Sequence, residues 1–262
     1  MSGQPTTKQI RAYVKKLEQY LDGLQIVPAT HCYRSSVLLA LLSKALTVSR
    51  AVCVLVDRDF PAEAFGLSRT LIDLYFTVRF ISNKETEQRA KAYVEHYARI
   101  RKEWQEIIRK HYPQKPLSES YLDAEVLEAA AAFKSKVNWT GQSGQSKAMA
   151  LEEDTVETNE KGEPFKSEFD YDAIYFWTSQ FVHGSVAGIA GHASPPGEAF
   201  KVHALPIVDK GRARNSLFNI AVYLCKTFVC ALRAMNLEQP KALQDLFNQI
   251  AKLAPEPGDV VI

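Results

Sequence analysis

A serine and a histidine one helical turn apart are the first residues of this sequence that could do chemistry. Ser179 and His183 are four positions apart in a stretch that also contains Tyr175, so a helix would bring all three side chains to one side. Histidine can act as a general base near neutral pH, and a hydroxyl can act as a nucleophile or contact a ligand. The same face could bind a small polar ligand instead, or His183 could be a core histidine that donates to a backbone carbonyl.

An arginine and an aspartate form a second candidate pair. Arg69 and Asp73 are spaced i, i+4 in a segment whose remaining positions are largely apolar. Burial of two charges is costly, and a functional cleft would explain it. A structural ion pair or an exposed pair would explain the spacing equally well. We treat Arg69 and Asp73, together with Ser179 and His183, as the candidate catalytic residues.

A third pair, Arg89 and His96, has the spacing of a known motif. An arginine followed by four to six residues and a histidine is typical of the helical nucleotide-binding family called HEPN, many of whose members are ribonucleases. The segment from Arg89 to His96 resembles that motif, and the i, i+7 spacing places both residues on one helical face. The alternative is a solvated helix face, since 13 arginines and six histidines make one such match expected by chance.

Aromatic residues accompany these candidates and form the expected binding surface. Tyr171, Tyr175 and Trp177 precede His183 in one segment. Trp139 is isolated in a polar stretch, and we expect it to anchor that stretch on the helices.

Metal and cofactor sites are not predicted. The spacings of 9 and 11 residues between His183, His192 and His203 match no compact metal site. The four cysteines lie in apolar stretches without C-x-x-C spacing and are predicted to be buried thiols. The glycine motifs that bind phosphates or dinucleotides do not occur.

The elements that must position these residues are predicted to be helices, because apolar residues recur at helical spacing along most of the chain. We predict an all-α, single-domain bundle of about seven or eight helices over residues 1–262. The long apolar helix over 33–56 is expected to be central, with 62–82 as its antiparallel partner. Asp170 or Asp172 can cap the helix that contains Tyr175. The remaining predicted elements are helices over 10–24, 85–112, 121–133, 212–235 and 240–253, a long polar loop over 136–169, a short β-hairpin near 198–209 and a flexible tail over 254–262.

The bulk composition is that of an ordinary globular protein, with 46% hydrophobic and 24% charged residues. A net charge of +2 predicts no strong nonspecific attraction to nucleic acid or anionic lipid. Two long apolar stretches, over 33–56 and 217–235, are each interrupted by a lysine and an arginine. We therefore expect them to be core helices and expect no membrane partner. The N-terminus lacks the pattern of a secretory signal, and we expect a cytoplasmic protein.

The candidate residues together resemble a bacterial family, the domain of unknown function family 5677, whose helices are HEPN-like. The resembling pieces are Arg69-Thr70-Leu71-Ile72-Asp73 with Tyr75, Asn138-Trp139 with Gly141, and Tyr171, Tyr175, Ser179 and His183-Gly184. The family commonly has glutamate where this chain has Asp73. The resemblance implies an all-α bundle in which the arginine/acid pair faces the serine/histidine helix. It also implies a role in phage defence or toxin systems.

Two functions are open at this point. The first is a module that binds a small ligand or an unidentified protein partner through Trp139 and the face bearing Tyr175 and His183. The second is a metal-independent ribonuclease-type effector that acts as a homodimer on RNA or a nucleotide. In that case His183 or His96 would be the base, and Arg69 or Arg89 would contact phosphate.

Overall fold

The computed structural model of the chain describes residues 6–24, 32–114, 139–140, 144–154, 166–182, 209–237 and 241–251. Over these ranges the protein is all-α, as predicted, and contains no strand. The helices are α1 (Thr7–Gly23), α2 (Tyr33–Asp57), α3 (Pro61–Asn83), α4 (Thr86–His111), α5 (Gln145–Leu151), a π-helix (Asp170–Tyr175) that continues into α6 (Phe176–Val182), α7 (Lys210–Ala234) and α8 (Lys241–Ala251).

Some helix N-termini are capped by residues of their own segment, and others by a side chain from another helix. Thr6 and Gln9 form a capping box at α1, in which each side chain bonds to the backbone N–H of the other residue. The start of α2 is capped from a distance, because the backbone N–H groups of Tyr33 and Arg34 donate to the carboxylate of Glu87 at 2.7 and 3.0 Å. Glu87 belongs to the first turn of α4, so this contact fixes α4 against the beginning of α2.

The central helix of the bundle is α3, which corrects the prediction that α2 is central. Helix α3 packs against α2, α4, α5, α6, α7 and the π-helix, and most of its residues are buried. The sequence of α3 looks less apolar than that of a central helix because it includes polar residues. Three of them, Ser68, Thr77 and Arg79, are buried in the structure. Buried polar groups of this kind are tolerated when they are hydrogen-bonded, and an apolar pattern does not register them.

Two helices are long and apolar enough to cross a membrane by length and composition. They are α2, with a mean hydropathy of 1.8 over its most apolar window, and α7, with 1.5. More than half of each window is buried inside the bundle. Core helices of soluble proteins pass the same test, so these two helices are weak support for a membrane location.

The polar stretch over 136–169 is not a continuous loop, which corrects a second prediction. Residues 145–151 form α5, whose Met149 and Ala150 are buried in the core. Neighbouring glycines and polar residues concealed this short apolar segment from a reading of composition. Three further predictions lie outside the described residues: the helix over 121–133, the tail over 254–262 and, except for Asp209, the β-hairpin near 198–209.

Candidate functional site

Four polar side chains from three elements meet at one partly exposed point, which we call the Arg69–Asp73 cluster. Arg69 and Asp73 project from α3, Ser146 from the first turn of α5, and Tyr175 from the last residue of the π-helix. Ser146 donates to an Asp73 carboxylate oxygen at 3.0 Å, and the Tyr175 hydroxyl lies 3.4 Å from the Ser146 hydroxyl. The Arg69 guanidinium donates to the Tyr175 hydroxyl. The predicted pair Arg69 and Asp73 therefore does lie together with one residue of the predicted tyrosine helix.

The π-helix is held in place by a buried anchor at its first residue. Asp170 is 8% exposed and accepts hydrogen bonds from the Tyr223 hydroxyl at 2.7 Å and from the Lys226 ammonium at 2.9 Å. The helix already begins at Glu168, two residues before Asp170, so the prediction that Asp170 or Asp172 caps this helix is wrong. The carboxylate is instead used to tie the π-helix to α7. A π-helix is rare and often occurs at functional sites.

The π-helix brings two tyrosine rings into one column with Arg69. The rings of Tyr171 and Tyr175 are stacked, with centroids 5.2 Å apart and an interplanar angle of 16°. The Arg69 guanidinium carbon lies 4.5 Å from the centroid of the Tyr175 ring, which is cation–π distance. Phe76, one turn beyond Asp73 on α3, supports both rings at 6.0–6.4 Å. The aromatic packing thus fixes where the Tyr175 hydroxyl can point.

The two charges of the cluster are close but do not form a tight ion pair. The nearest nitrogen and oxygen of Arg69 and Asp73 are 3.8 Å apart, and the side chains are 21% and 37% exposed. Burial raises the pKa of the Asp73 carboxyl above its ordinary value, against the opposing effects of Arg69 and of hydrogen bonds from Ser146 and Tyr175. The Nε of Arg69 is buried and has no hydrogen-bond partner among the described residues. Arg69 therefore retains donor capacity that its neighbours do not use.

A second arginine, Arg89, forms a tight ion pair with Glu152. Arg89 makes two hydrogen bonds to the Glu152 carboxylate, at 2.8 and 3.0 Å, and a third to the Phe80 carbonyl. Both side chains of this pair are nearly buried, 11% and 13% exposed. Asn83 also donates to Glu152, and these bonds outweigh burial so that the pKa of Glu152 is lowered. The geometry of Arg89 is that of a structural clamp between α4 and the end of α5.

The other predicted site residues are placed as follows. The Ser179 hydroxyl donates to the backbone carbonyl of Tyr175 at 2.6 Å, one turn back along the same helix. Trp177 packs edge-on against Phe181 and is 37% exposed. His183 lies outside the described residues, so its approach to the Arg69–Asp73 cluster stays a prediction.

Trp139 and His96 lie on another side of the bundle, at α4. Trp139 is 6% exposed, and its ring packs edge-on against Phe80 at 5.3 Å and Tyr93 at 5.1 Å. Trp139 therefore anchors its segment on α3 and α4, as expected of an isolated tryptophan. Burial, with a smaller effect of Arg99, lowers the pKa of His96 below its ordinary value.

Two residues of this region were not found from the sequence. Ser146 and Glu152 lie at the two ends of α5, inside a stretch rich in glycine, serine and glutamine. The only available signal was the short apolar group around Met149, which indicates a segment that packs on the core.

The fold and the cluster define a class before any comparison: an all-α bundle with a polar cluster between its central helix and a π-helix. Residues 35–200 match the model of the Family of unknown function (DUF5677), and the chain belongs to that family. The matched range contains α3, α4, α5, the π-helix and α6, and so all four residues of the Arg69–Asp73 cluster. No curated protein and no solved structure matches the chain.

Proposed function

We propose that this protein is a helical binding module for a small phosphate-bearing ligand, which binds at the Arg69–Asp73 cluster. The observation that carries the proposal is the loose contact of 3.8 Å between Arg69 and Asp73, in a protein that joins Arg89 and Glu152 by two parallel hydrogen bonds. Arg69 and Arg89 each lie near a carboxylate. Of these two arginines, only Arg89 forms two hydrogen bonds to its carboxylate.

The hydrogen-bond donors of the cluster suit a phosphate group. A guanidinium offers several N–H donors in a planar fork that matches phosphate oxygens. In the Arg69–Asp73 cluster the Arg69 side chain is 21% exposed, and the hydroxyls of Ser146 and Tyr175 lie next to the guanidinium and the carboxylate. These hydroxyls can rotate to donate to a ligand oxygen. Asp73 can accept from a ligand hydroxyl, as in a phosphorylated sugar or a nucleotide.

The partial exposure of the cluster supports a binding role over a purely structural one. Side chains that are 21% and 37% exposed remain within reach of a solute. At the same time the packing of Phe76, Tyr171 and Tyr175 holds the cluster in one geometry. Preorganised polar groups bind a ligand with less loss of side-chain freedom than mobile ones.

Calorimetric titration of the purified protein with inorganic phosphate and with adenosine monophosphate tests the proposal. We expect both to bind, and Arg69→Gln to weaken them at least tenfold because a charged donor is lost. Arg50→Gln is the matched control, since Arg50 is an exposed arginine that pairs with Glu18 on a different part of the bundle. Binding that is absent in the native chain, or equally weakened by both substitutions, would contradict the proposal.

The finer assignments suggested by the resemblance are HEPN-like ancestry, RNA cleavage as a homodimer and a part in phage defence or toxin systems. For RNA cleavage the base would be His183 with Arg69, because Arg89 is already bonded to Glu152. Expression of the native chain beside His183→Ala and Arg69→Ala tests this function. Equal growth and intact cellular RNA in all three strains would exclude it.

A further inference from the structure

An aromatic cavity lies on the outer side of α4. None of the described residues that line it belongs to the Arg69–Asp73 cluster. The volume of the cavity is about 520 Å³, within the range of small-molecule sites. Tyr93, Tyr97 and Trp139 provide its aromatic surface, and His96 and Gln145 add polar groups. The remaining lining is aliphatic. An aromatic surface with a few polar groups is the usual composition of a site for an organic ligand.

Trp139 lines this cavity and carries a hydrogen-bond donor that has no acceptor among the described residues. The tryptophan is 6% exposed, and its Nε1 is fully buried with no hydrogen-bond partner among the described residues. A buried N–H group that lacks an acceptor costs free energy, and nearly all such groups in folded proteins are satisfied. A ligand with an acceptor atom at its edge would relieve this cost.

We propose that the cavity binds a planar heterocycle, such as a nucleobase, through ring contacts with Tyr97 and a hydrogen bond from Trp139. Tyr97 is 62% exposed, so one face of its ring is accessible to a stacking ligand. His96 supplies a further group at the edge of the ring.

A heterocycle fits this cavity better than an organic cation, although aromatic surfaces can bind either. The unsatisfied group of Trp139 is a donor, which calls for an acceptor atom. Ring nitrogens and exocyclic carbonyl oxygens of nucleobases are acceptors of this kind.

The cavity and the Arg69–Asp73 cluster meet α5 at consecutive residues. Gln145 lines the cavity, and Ser146 bonds to Asp73. The binding of a heterocycle does not depend on the phosphate site, however, and a neutral nucleoside tests it independently.

The test uses the indole N–H signals of the full chain in nitrogen-15 NMR. The three tryptophans, Trp104, Trp139 and Trp177, are assigned by single substitution to phenylalanine. Adenosine, guanosine and uridine are the probes, because they carry a heterocycle and no phosphate. We expect a probe to shift the Trp139 signal and to leave the Trp177 signal in place.

Two tyrosine variants complete the experiment. Tyr97→Ala should weaken the binding of the probe about tenfold, as loss of a stacking partner does. Tyr112→Ala is the matched control, an equally exposed tyrosine at the end of the same helix, and should leave affinity unchanged. A Trp139 signal that none of the three nucleosides moves overturns the proposal. So does a shift produced by tetramethylammonium and by none of the nucleosides, or equal weakening by both alanine variants.

Discussion

Ser146 donates a hydrogen bond of 3.0 Å to Asp73, across 73 positions of the chain. The contact depends on α5, a helix of only seven residues that begins one residue before Ser146. The other end of α5 is fixed by Glu152, which binds Arg89 and Asn83. A short helix clamped at one end therefore completes the polar cluster at its other end.

Replacement of Asp73 by asparagine should stabilise the protein at neutral and alkaline pH. Burial raises the pKa of this carboxyl in the folded state, so ionisation favours the unfolded chain. The native protein therefore loses stability as the pH rises from the ordinary aspartate pKa of about 3.9 through the raised value, and asparagine abolishes that loss. Thermal unfolding should give a higher Tm for the variant at about pH 8 and a smaller difference at about pH 4.

Asp22→Asn is the control for this comparison, since Asp22 is an exposed carboxylate on α1. Its Tm should follow that of the native chain at both pH values. A lower Tm of Asp73→Asn at alkaline pH would mean that the charge of Asp73 stabilises the fold.

Replacement of Arg89 by alanine should destabilise the protein by about 3 kcal/mol, because the largely buried Glu152 loses both of its hydrogen bonds from the guanidinium and keeps only Asn83 and the Lys84 ammonium, 3.9 Å away. Lysine should recover only part of this loss, since an ammonium lacks the planar fork that binds both carboxylate oxygens. Urea unfolding measures each difference in the free energy of unfolding.

The double variant Arg89→Ala with Glu152→Ala separates the pair from its surroundings. It should be more stable than Arg89→Ala alone, because the largely buried carboxylate that lost the guanidinium is then removed as well. Additive losses in the double variant would show that the two side chains do not interact.

Replacement of Gly66 by alanine should stabilise the protein by about 0.5–1 kcal/mol, the usual gain for this change inside a helix. A Cβ at Gly66 would lie 3.4 Å from the Cβ of Phe181 on α6, which is ordinary van der Waals contact. Leucine at the same position should push α6 away from α3 and destabilise by about 1–3 kcal/mol. Urea unfolding of both variants checks the opposite signs, and a gain from leucine would contradict the close packing of the two helices.

Replacement of Asp170 by alanine should destabilise the protein by about 2–3 kcal/mol, since the buried Tyr223 hydroxyl and the Lys226 ammonium lose their acceptor. Tyr223→Phe removes one of these groups together with its need for an acceptor and should cost only about 1 kcal/mol. Chemical unfolding ranks the two variants, and the reverse order would mean that Asp170 does not anchor the π-helix.

The periodicity of apolar residues was sufficient to predict the helices that carry the candidate site. The predicted helix over 62–82 corresponds to α3, Pro61–Asn83, and the one over 85–112 to α4, Thr86–His111. Periodicity reports which side of a helix avoids water, and this is a local property of the sequence. The placement of Arg69 and Asp73 one turn apart follows from it directly.

The partners of these side chains were decided by the tertiary structure. The spacing in the sequence suggested that Arg89 acts together with His96. In the folded protein Arg89 binds Glu152, a residue 63 positions away. Ser146 reaches Asp73 only because Met149 and Ala150 bury α5 against the core. Which surfaces pack together depends on shape and burial over the whole bundle, and no local pattern of residues encodes it. The sequence thus determined the helices and the face that bears Arg69 and Asp73, and the packing of α5 and the π-helix turned that face into a candidate site.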